Sequence, residues 1–158
     1  MTADRADVAA TLVAAALEDN LAKAVPDAVV KLIPGRTPTV VVQAEKIVEV
    51  CGYLKNAPGL EFDYLVNLTS VDRIDYFEVV YHLYSIRLGH ALTVKVQVER
   101  DQAIVPSVTG VWHGADFQER EVYDMMGITF TGHHNLKRIL LYDEFVGYPL
   151  RKDFGLPT

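Results

Sequence analysis

The sequence predicts an α+β fold in which helices pack on a mainly antiparallel sheet as a two-layer sandwich, followed by an extended C-terminal arm. Two segments near the N-terminus place apolar residues at helical spacing, and three longer runs between residues 62 and 99 have the composition of strands. The links between those three runs are short, which is typical of antiparallel neighbours. With 158 residues, half of them hydrophobic, the chain suits one domain with a substantial core and leaves little room for a second.

The first 60 residues are predicted to form two helices separated by a hairpin. Apolar residues at helical spacing cover residues 6–24 and, further on, residues 44–56. Between them lie two short runs rich in valine, 28–33 and 39–43, joined across a Pro-Gly pair that is typical of a turn. This order places a helix, a two-stranded hairpin and a second helix before the main sheet.

Residues 62–71, 77–87 and 92–99 are predicted to form the main sheet. The third run alternates apolar residues such as Val94 and Val96 with polar ones, so one face of this strand is expected to be buried and the other wet. The short links favour an antiparallel meander. No glycine-rich phosphate loop follows any of these runs, so the sequence does not support nucleotide binding.

A last helix is predicted over residues 117–126. Asp116 lies three residues before Glu119, which is the spacing of a capping box, and Gly127 follows where a left-handed C-cap is wanted. The apolar face of this helix is expected to pack on the sheet. Its charged face is expected to form pairs four residues apart, directed to solvent or to another protein. These pairs are Glu119 with Tyr123 and Arg120 with Asp124.

Residues 1–127 are predicted to form the α+β domain, and residues 128–158 the extended arm. The arm is too long for an ordinary loop, yet its leucines and aromatic residues make it too apolar for a disordered tail. It is therefore expected to bury itself, either around its own domain or along a neighbouring protein. In the second case its aromatic residues, together with Trp112, are candidate anchors.

Composition excludes several classes of function. The net charge of −6 argues against a protein that grips nucleic acid or anionic lipid, so the expected partner is another protein. The single cysteine, Cys51, cannot form a disulfide framework or hold an iron-sulfur cluster, and it is expected to be a buried packing residue. No apolar run approaches the roughly 20 residues of a membrane-spanning helix, so membrane contact is expected to be indirect. The early acidic residues disfavour a targeting peptide.

Residues 116–154 read DFQEREVYDMMGITFTGHHNLKRILLYDEFVGYPLRKDF and carry a family pattern. The pattern is Glu-Arg-Glu at 119–121, Asp124 followed by two apolar residues, His133, and Lys-Arg-Ile-Leu at 137–140. Together with the upstream YHLYSIR run, it resembles the 30-kilodalton subunit family of proton-pumping NADH:quinone oxidoreductase, respiratory complex I. The same family is known as the C subunit in bacteria and as the J subunit in photosynthetic NDH complexes. Two residues depart from the usual family pattern, which has proline in place of His134 and more often tryptophan in place of Phe117.

The resemblance implies a structural subunit of the hydrophilic arm of that enzyme, with no catalytic or metal-binding residue of its own. The implied partner is the 49-kilodalton subunit (the D subunit in bacteria), with the B and I subunits nearby, at the cytoplasmic face of the bacterial membrane or the equivalent side in an organelle. Iron-sulfur clusters, flavin, NADH and quinone belong to the assembled complex, and none is expected on this chain. The implied partner interface consists of Glu119, Arg120, Glu121, Asp124, His133, Lys137, Arg138, Arg151, Lys152 and Asp153.

Three alternatives stay open. Close relatives of the family serve membrane-bound hydrogenases and dehydrogenases linked to ferredoxin or a deazaflavin. His133 and His134, with Asp143, Glu144 or Glu119, include ligand types that zinc accepts, which would suit a small metal-dependent enzyme. Against that, adjacent histidines in an extended segment are expected to point to opposite sides. The third alternative is a free-standing interaction module. The remaining histidines are expected to be packed or solvated, namely His82, His90 and His113.

Overall fold

The structure is a computed structural model that describes residues 5–155, so the first four residues of the predicted domain and the last three of the predicted arm lie outside it. The helical elements are α1 (Arg5–Ala16), a π-helical turn (Leu17–Leu21), α2 (Ala22–Ala24), a 3₁₀ turn (Ala44–Lys46), α3 (Ile47–Asn56) and α4 (Ala115–Met126). The strands are β1 (Val29–Ile33), β2 (Thr39–Val42), β3 (Tyr64–Asp72), β4 (Tyr76–Ser85), β5 (His90–Glu99), β6 (Ile104–Pro106) and β7 (Thr129–Thr131).

Five strands form one sheet in the order β1-β2-β5-β4-β3. The predicted hairpin is present as the antiparallel pair β1 and β2, and the predicted meander as the antiparallel series β3, β4 and β5. The pair β2 and β5 is parallel, because the chain crosses over through α3 and the other two strands before β5 returns to the centre. The fold is therefore α+β with a mainly antiparallel sheet, as predicted.

The helices and the sheet share one hydrophobic core. α1 lies against β5, and α4 lies against β3. The alternating valines of β5 reach the core together with the buried apolar residues of α3, and Cys51 is fully buried among them. Burial raises the pKa of the Cys51 thiol far above its usual range. The expectation that Cys51 is a packing residue is therefore confirmed.

The first helix departs from the prediction of one regular helix over residues 6–24. Its buried residues Val13, Leu17 and Leu21 are spaced by four, and four residues overshoot an α-helical turn by about 40°. The wider π-helical turn at Leu17–Leu21 offsets that drift and keeps all three side chains facing the core. Packing, rather than local propensity, accounts for the irregular turn.

After Gly127, the chain remains within the domain for four more residues. β7 pairs with β6 in parallel, and the side chains of Ile128 and Phe130 are buried in the core. This corrects the predicted start of the arm at residue 128, because residues 128–131 are part of the domain itself. We call the described chain beyond them, residues 132–155, the C-terminal segment.

Gly127 ends α4 in the left-handed conformation that the sequence predicted, with φ of 74°. A Cβ atom at this position would lie 2.6 Å from Arg151 Nη2 and 2.6 Å from a ring carbon of Tyr148. The glycine is therefore needed for two reasons, the sign of φ and the close approach of the C-terminal segment.

Gly127→Ala is expected to lower the free energy of unfolding by more than about 2 kcal/mol. A left-handed residue with a Cβ costs roughly 1–2 kcal/mol, and the contact with Tyr148 and Arg151 adds to that cost. Chemical denaturation of the purified chain measures the difference.

Two other glycines separate these two costs. Gly59 has φ of 83° but open space around its Cβ position, so Gly59→Ala is expected to show the conformational cost alone. Gly52 lies in α3 with open space and no positive φ, so Gly52→Ala is expected to be neutral or to stabilise by up to about 1 kcal/mol. Equal losses at Gly127 and Gly59 would show that the C-terminal segment moves aside without cost.

Candidate functional site

The predicted interface residues all lie on α4 or on the C-terminal segment that packs against it. The segment has no helix or strand among its described residues, and it is held by contacts from its side chains and backbone to the last turns of α4 and to the end of the sheet. Its shape therefore depends on a small number of polar contacts.

The central contact joins Asp124 of α4 to Arg138. The Asp124 side chain is fully buried, and its Oδ1 accepts a hydrogen bond from Arg138 Nη1 at 2.8 Å. Its Oδ2 accepts three backbone N–H groups, from Ile139 at 3.1 Å, Leu140 at 2.7 Å and Leu141 at 3.0 Å. One carboxylate thus fixes four successive residues of the segment.

Arg138 extends the same contact to the far part of the segment. Its Nη2 donates to the carbonyl oxygens of Phe145 at 3.0 Å and Gly147 at 2.9 Å. Its guanidinium also lies 5.1 Å from the ring centroid of Tyr148 and 5.5 Å from that of Phe145. Arg138 therefore contacts residues at the far end of the stretch 138–148 and holds this stretch in a compact conformation.

The charge state of Asp124 follows from these partners. Burial by itself would raise the pKa of Asp124, but the Arg138 guanidinium and the three N–H groups outweigh it and hold the pKa below its usual range. Asp124 is therefore ionised at neutral pH despite its burial, and the pair is a buried, hydrogen-bonded salt bridge.

The segment also satisfies the end of α4. The last four carbonyl groups of an α-helix have no partner within the helix. Here the Asp124 carbonyl accepts from Arg138 at 2.9 Å, that of Met125 from the backbone N–H of Leu150 at 3.1 Å, and that of Met126 from Arg151 Nε at 2.7 Å. The fourth, of Tyr123, accepts from the backbone N–H of Gly127 at 2.9 Å.

A second anchor holds the end of the segment to the sheet. The buried carboxylate of Asp72, at the end of β3, accepts from the backbone N–H of Lys152 at 2.9 Å and from Arg100. Arg100 also lies 3.3 Å from the carboxylate of Asp153. Burial opposes ionisation of Asp72, yet its hydrogen bonds prevail and lower its pKa. Sequence reasoning missed Asp72 and Arg100, because the partners are separated by tens of residues and share no motif.

Glu119 does not form the predicted capping box. The N-cap of α4 is Gly114, and it makes no side-chain capping bond. Glu119 points into the domain, where its carboxylate accepts from Ser107 Oγ at 2.7 Å and from the backbone N–H of Val108 at 2.8 Å. Burial raises the pKa of Glu119 more than these two bonds lower it. Its role is to join α4 to the chain after β6.

The predicted charged face of α4 is also corrected. Arg120 does not pair with Asp124, because its guanidinium donates to the carbonyl oxygens of Lys137 at 3.2 Å and Arg138 at 3.1 Å. Glu119 and Asp124 are both buried, so neither side chain is exposed for contact with another protein. Among the predicted interface residues, the exposed ones are Glu121, Lys137, Lys152 and Asp153.

His133 and His134 lie on the same side of the chain, contrary to the prediction. They follow a turn at Gly132, whose φ is 83°, so the local chain is not extended. Their rings stack with centroids 4.9 Å apart and planes 8° apart, and both face Asp116. None of the predicted companions, Asp143, Glu144 or Glu119, completes this group.

The other histidines are packed or solvated, as predicted. His90 is buried, with Nε2 2.6 Å from the carbonyl oxygen of Leu60, and His82 contacts Thr93. His113 is exposed. Trp112, a candidate anchor for a partner, is buried and donates from its indole N–H to the carbonyl of Phe62, so it packs inside the domain.

The outer side of the C-terminal segment carries large apolar side chains. Five of them are exposed, by 42% to 88% of their surface, and we call them the exposed apolar set. Surfaces of this kind are typical of protein contacts. The set consists of Leu140, Tyr142, Val146, Leu150 and Phe154.

The described helices include none that is both long enough and apolar enough to cross a bilayer. This finding agrees with the short apolar runs of the sequence. It concerns residues 5–155 alone.

Comparison with known proteins finds relatives that belong to one subunit family. A family model described as the 30 Kd subunit of respiratory-chain NADH dehydrogenase matches residues 40–158. The C subunit of NADH-quinone oxidoreductase from Roseiflexus sp. (strain RS-1) is 44% identical over 142 residues, which are 87% of this chain and 82% of that protein. The protein of the same name from Moorella thermoacetica is 46% identical over 123 residues, which are 77% of this chain and 82% of that protein.

Two solved structures share the fold. A trypsin-resistant fragment of Nqo5 has a TM-score of 0.57 and 33% identity, over 63% of this chain and 83% of that one. A chain of the membrane-bound sulfane sulfur reductase, an archaeal respiratory membrane complex, has a TM-score of 0.72 and 28% identity, over 87% of this chain and 83% of that one. Since the family model spans well over half of the sequence and the two bacterial relatives exceed 40% identity, the chain belongs to the family of the 30-kilodalton subunit of respiratory-chain NADH dehydrogenase, or complex I.

Proposed function

We propose that this chain is a non-catalytic structural subunit of the hydrophilic arm of a proton-pumping NADH:quinone oxidoreductase, located at the cytoplasmic face of the membrane. Its partner in this proposal is the 49-kilodalton subunit, which carries the quinone site, with the B and I subunits close by. The observation that carries the proposal is a rigidly held segment with an outward apolar set, in a chain of the 30-kilodalton subunit family.

The surface chemistry supports docking on a protein. The backbone that carries the exposed apolar set is held by the Asp124 and Arg138 contacts and by the bond from Leu150 to the end of α4, so little backbone conformational entropy remains to be lost on association. Exposed charges at Glu121, Lys137 and Lys152 lie on α4 and on the same segment. Protein interfaces usually combine an apolar centre with a polar rim. A preorganised surface of this kind suits a permanent contact between subunits.

The proposed contribution to catalysis is positional. Flavin, iron-sulfur clusters, NADH and quinone would be bound by other subunits, and this chain would hold those subunits in register and exclude water between them. Loss of the chain would then reduce assembly before it changes any chemical step.

A second candidate is the equivalent subunit of another membrane-bound complex. The likeness to a chain of the sulfane sulfur reductase complex favours it, because that match extends over 87% of this chain. Related hydrogenases and dehydrogenases that use ferredoxin or a deazaflavin fall in the same class. The proteins that copurify with the tagged chain from gently solubilised membranes distinguish these possibilities, because an NADH-binding subunit is expected only in the first.

Val146→Glu is expected to reduce recovery of the assembled complex by roughly tenfold or more, since an unpaired charge buried in an interface costs well over 1.4 kcal/mol. Val146 is 88% exposed in the free chain, so the variant is expected to fold normally. The measurement is native mass spectrometry of complexes purified through a tag on the N-terminus.

The matched control is Leu12→Glu, which adds the same charge at an exposed apolar residue of α1. It is expected to leave the yield of the complex unchanged. Unchanged yield with Val146→Glu, at equal chain abundance, would contradict the proposed docking surface.

Arg138→Ala is expected to destabilise the chain by about 3–5 kcal/mol, because it leaves the buried Asp124 carboxylate without its cation. It is also expected to lower the yield of the complex, since the segment loses its order before docking. Chemical denaturation and hydrogen exchange of residues 138–148 measure the two effects. The control is Arg87→Ala, which removes an exposed pair with Glu61 and is expected to change stability by less than about 1 kcal/mol.

The same pair predicts a dependence on pH. Because the pKa of Asp124 is lowered by folding, its contribution is complete above the unfolded value of about 3.9 and is lost as pH falls through the folded value. The free energy of unfolding of the wild type is therefore expected to fall more steeply below pH 4 than that of Asp124→Asn. Parallel curves for the two proteins would contradict the assignment.

A further inference from the structure

Asp116, His133 and His134 bring two imidazoles and one carboxylate together at the start of α4. Asp116 lies in the first turn of the helix, and the two histidines follow β7 in the turn that begins the C-terminal segment. The exposed apolar set, which is the docking surface proposed above, does not include this group. Its three potential ligand atoms all lie within 4.8 Å of one another.

The distances suit a single bound cation. His133 Nε2 is 2.9 Å from Asp116 Oδ1, and His134 Nε2 is 3.4 Å from Asp116 Oδ2. Donor atoms on one tetrahedral zinc ion, each about 2.0–2.2 Å from the metal, lie roughly 3.3 Å apart. The two carboxylate-to-imidazole distances are therefore close to the spacing that a shared metal requires. The two rings, now 8° from parallel, must turn toward each other for both Nε2 atoms to reach one ion.

A buried oxygen of Asp116 without a hydrogen-bond partner within residues 5–155 also supports a bound cation. Asp116 Oδ1 is buried and has no hydrogen-bond partner among the described residues, because the 2.9 Å contact with His133 lacks hydrogen-bond geometry. His133 Nε2 instead lies 3.2 Å from the backbone carbonyl oxygen of Asp116. A buried carboxylate oxygen without a partner is uncommon, and a cation would satisfy it.

We propose that Asp116, His133 and His134 bind one divalent transition-metal ion of the zinc class. Two imidazoles with one carboxylate favour zinc, cobalt or nickel over magnesium or calcium, which prefer oxygen ligands throughout. The His133 side chain is fully buried, whereas that of His134 is 67% exposed, so the ion can enter from the side of His134 and keep water as a further ligand. The ion joins the first turn of α4 to the start of the C-terminal segment.

Binding breaks two hydrogen bonds of His133. A metal on Nε2 replaces the proton that this atom donates to the backbone carbonyl oxygen of Asp116 at 3.2 Å. His133 Nδ1 now accepts a hydrogen bond from the backbone N–H of Asn135 at 3.0 Å. A metal on Nε2 places the ring proton on Nδ1, so this bond must break. Asn135 is exposed, and water can take its N–H. A shift of the Asn135 amide resonance is therefore a specific sign of metal at His133.

The test is titration of the full-length chain, with any affinity tag removed, with ZnCl₂ by isothermal calorimetry, and with CoCl₂ by visible absorption. One ion is expected per chain, with the absorption of cobalt bound to nitrogen and oxygen. His134→Gln and Asp116→Asn are each expected to weaken binding about tenfold or more, since each removes a ligand. Because His134 is exposed, its substitution is expected to leave the fold intact, and circular dichroism checks this.

His113→Gln is the matched control, because it removes an exposed histidine near α4 that lies outside the cluster. It is expected to bind zinc as the wild type does. Absence of binding, or equal affinity in His134→Gln and the wild type, would overturn the proposal, as would an unchanged Asn135 amide in zinc-saturated protein. These measurements use the isolated chain, so their failure is separate from failure to assemble with the 49-kilodalton subunit.

Discussion

The end of α4 sets the course of the chain that follows it. Three of its last four carbonyl groups are satisfied by residues of the C-terminal segment, namely Arg138, the backbone of Leu150, and Arg151. A helix end buried without partners is costly, and a segment without secondary structure has its own backbone groups to satisfy. The segment therefore donates hydrogen bonds to the helix carbonyl groups. In turn, the Asp124 carboxylate of the helix accepts hydrogen bonds from three N–H groups of the segment.

These contacts explain why charged side chains are buried here while large apolar side chains are exposed. The charged groups of Glu119, Asp124 and Arg138 lie inside or nearly so, whereas large apolar side chains such as Val146 and Leu150 face outward. Burying the charges is tolerable because each is hydrogen-bonded to the chain itself. In the proposed docking, the outward apolar residues would contact a second protein, so folding of the segment and its docking would depend on different residues.

Regular periodicity made most of the fold predictable from the sequence. The valines of β5, the helical spacing in α3 and the glycine after α4 each act through neighbours in sequence, and each was predicted correctly. The π-helical turn and the parallel pairing of β2 with β5 were not predicted, because both depend on packing between distant parts of the chain. The parallel pairing of β6 with β7 was not predicted for the same reason.

The candidate site shows the same limit more sharply. The motif identified Arg138 and Asp124 as important, but spacing along a helix suggested that Asp124 pairs with Arg120 on the surface. The observed partner of Asp124 is Arg138, fourteen residues away in sequence. This pairing depends on packing of the segment against the end of α4, which a local sequence pattern does not reveal. In the proposed docking, a charged motif of this kind would act on the partner indirectly. Its residues set the shape of the segment, and the exposed apolar residues between them would make the contact. Loss of a motif charge and loss of an exposed apolar residue would then reduce assembly through different physical steps.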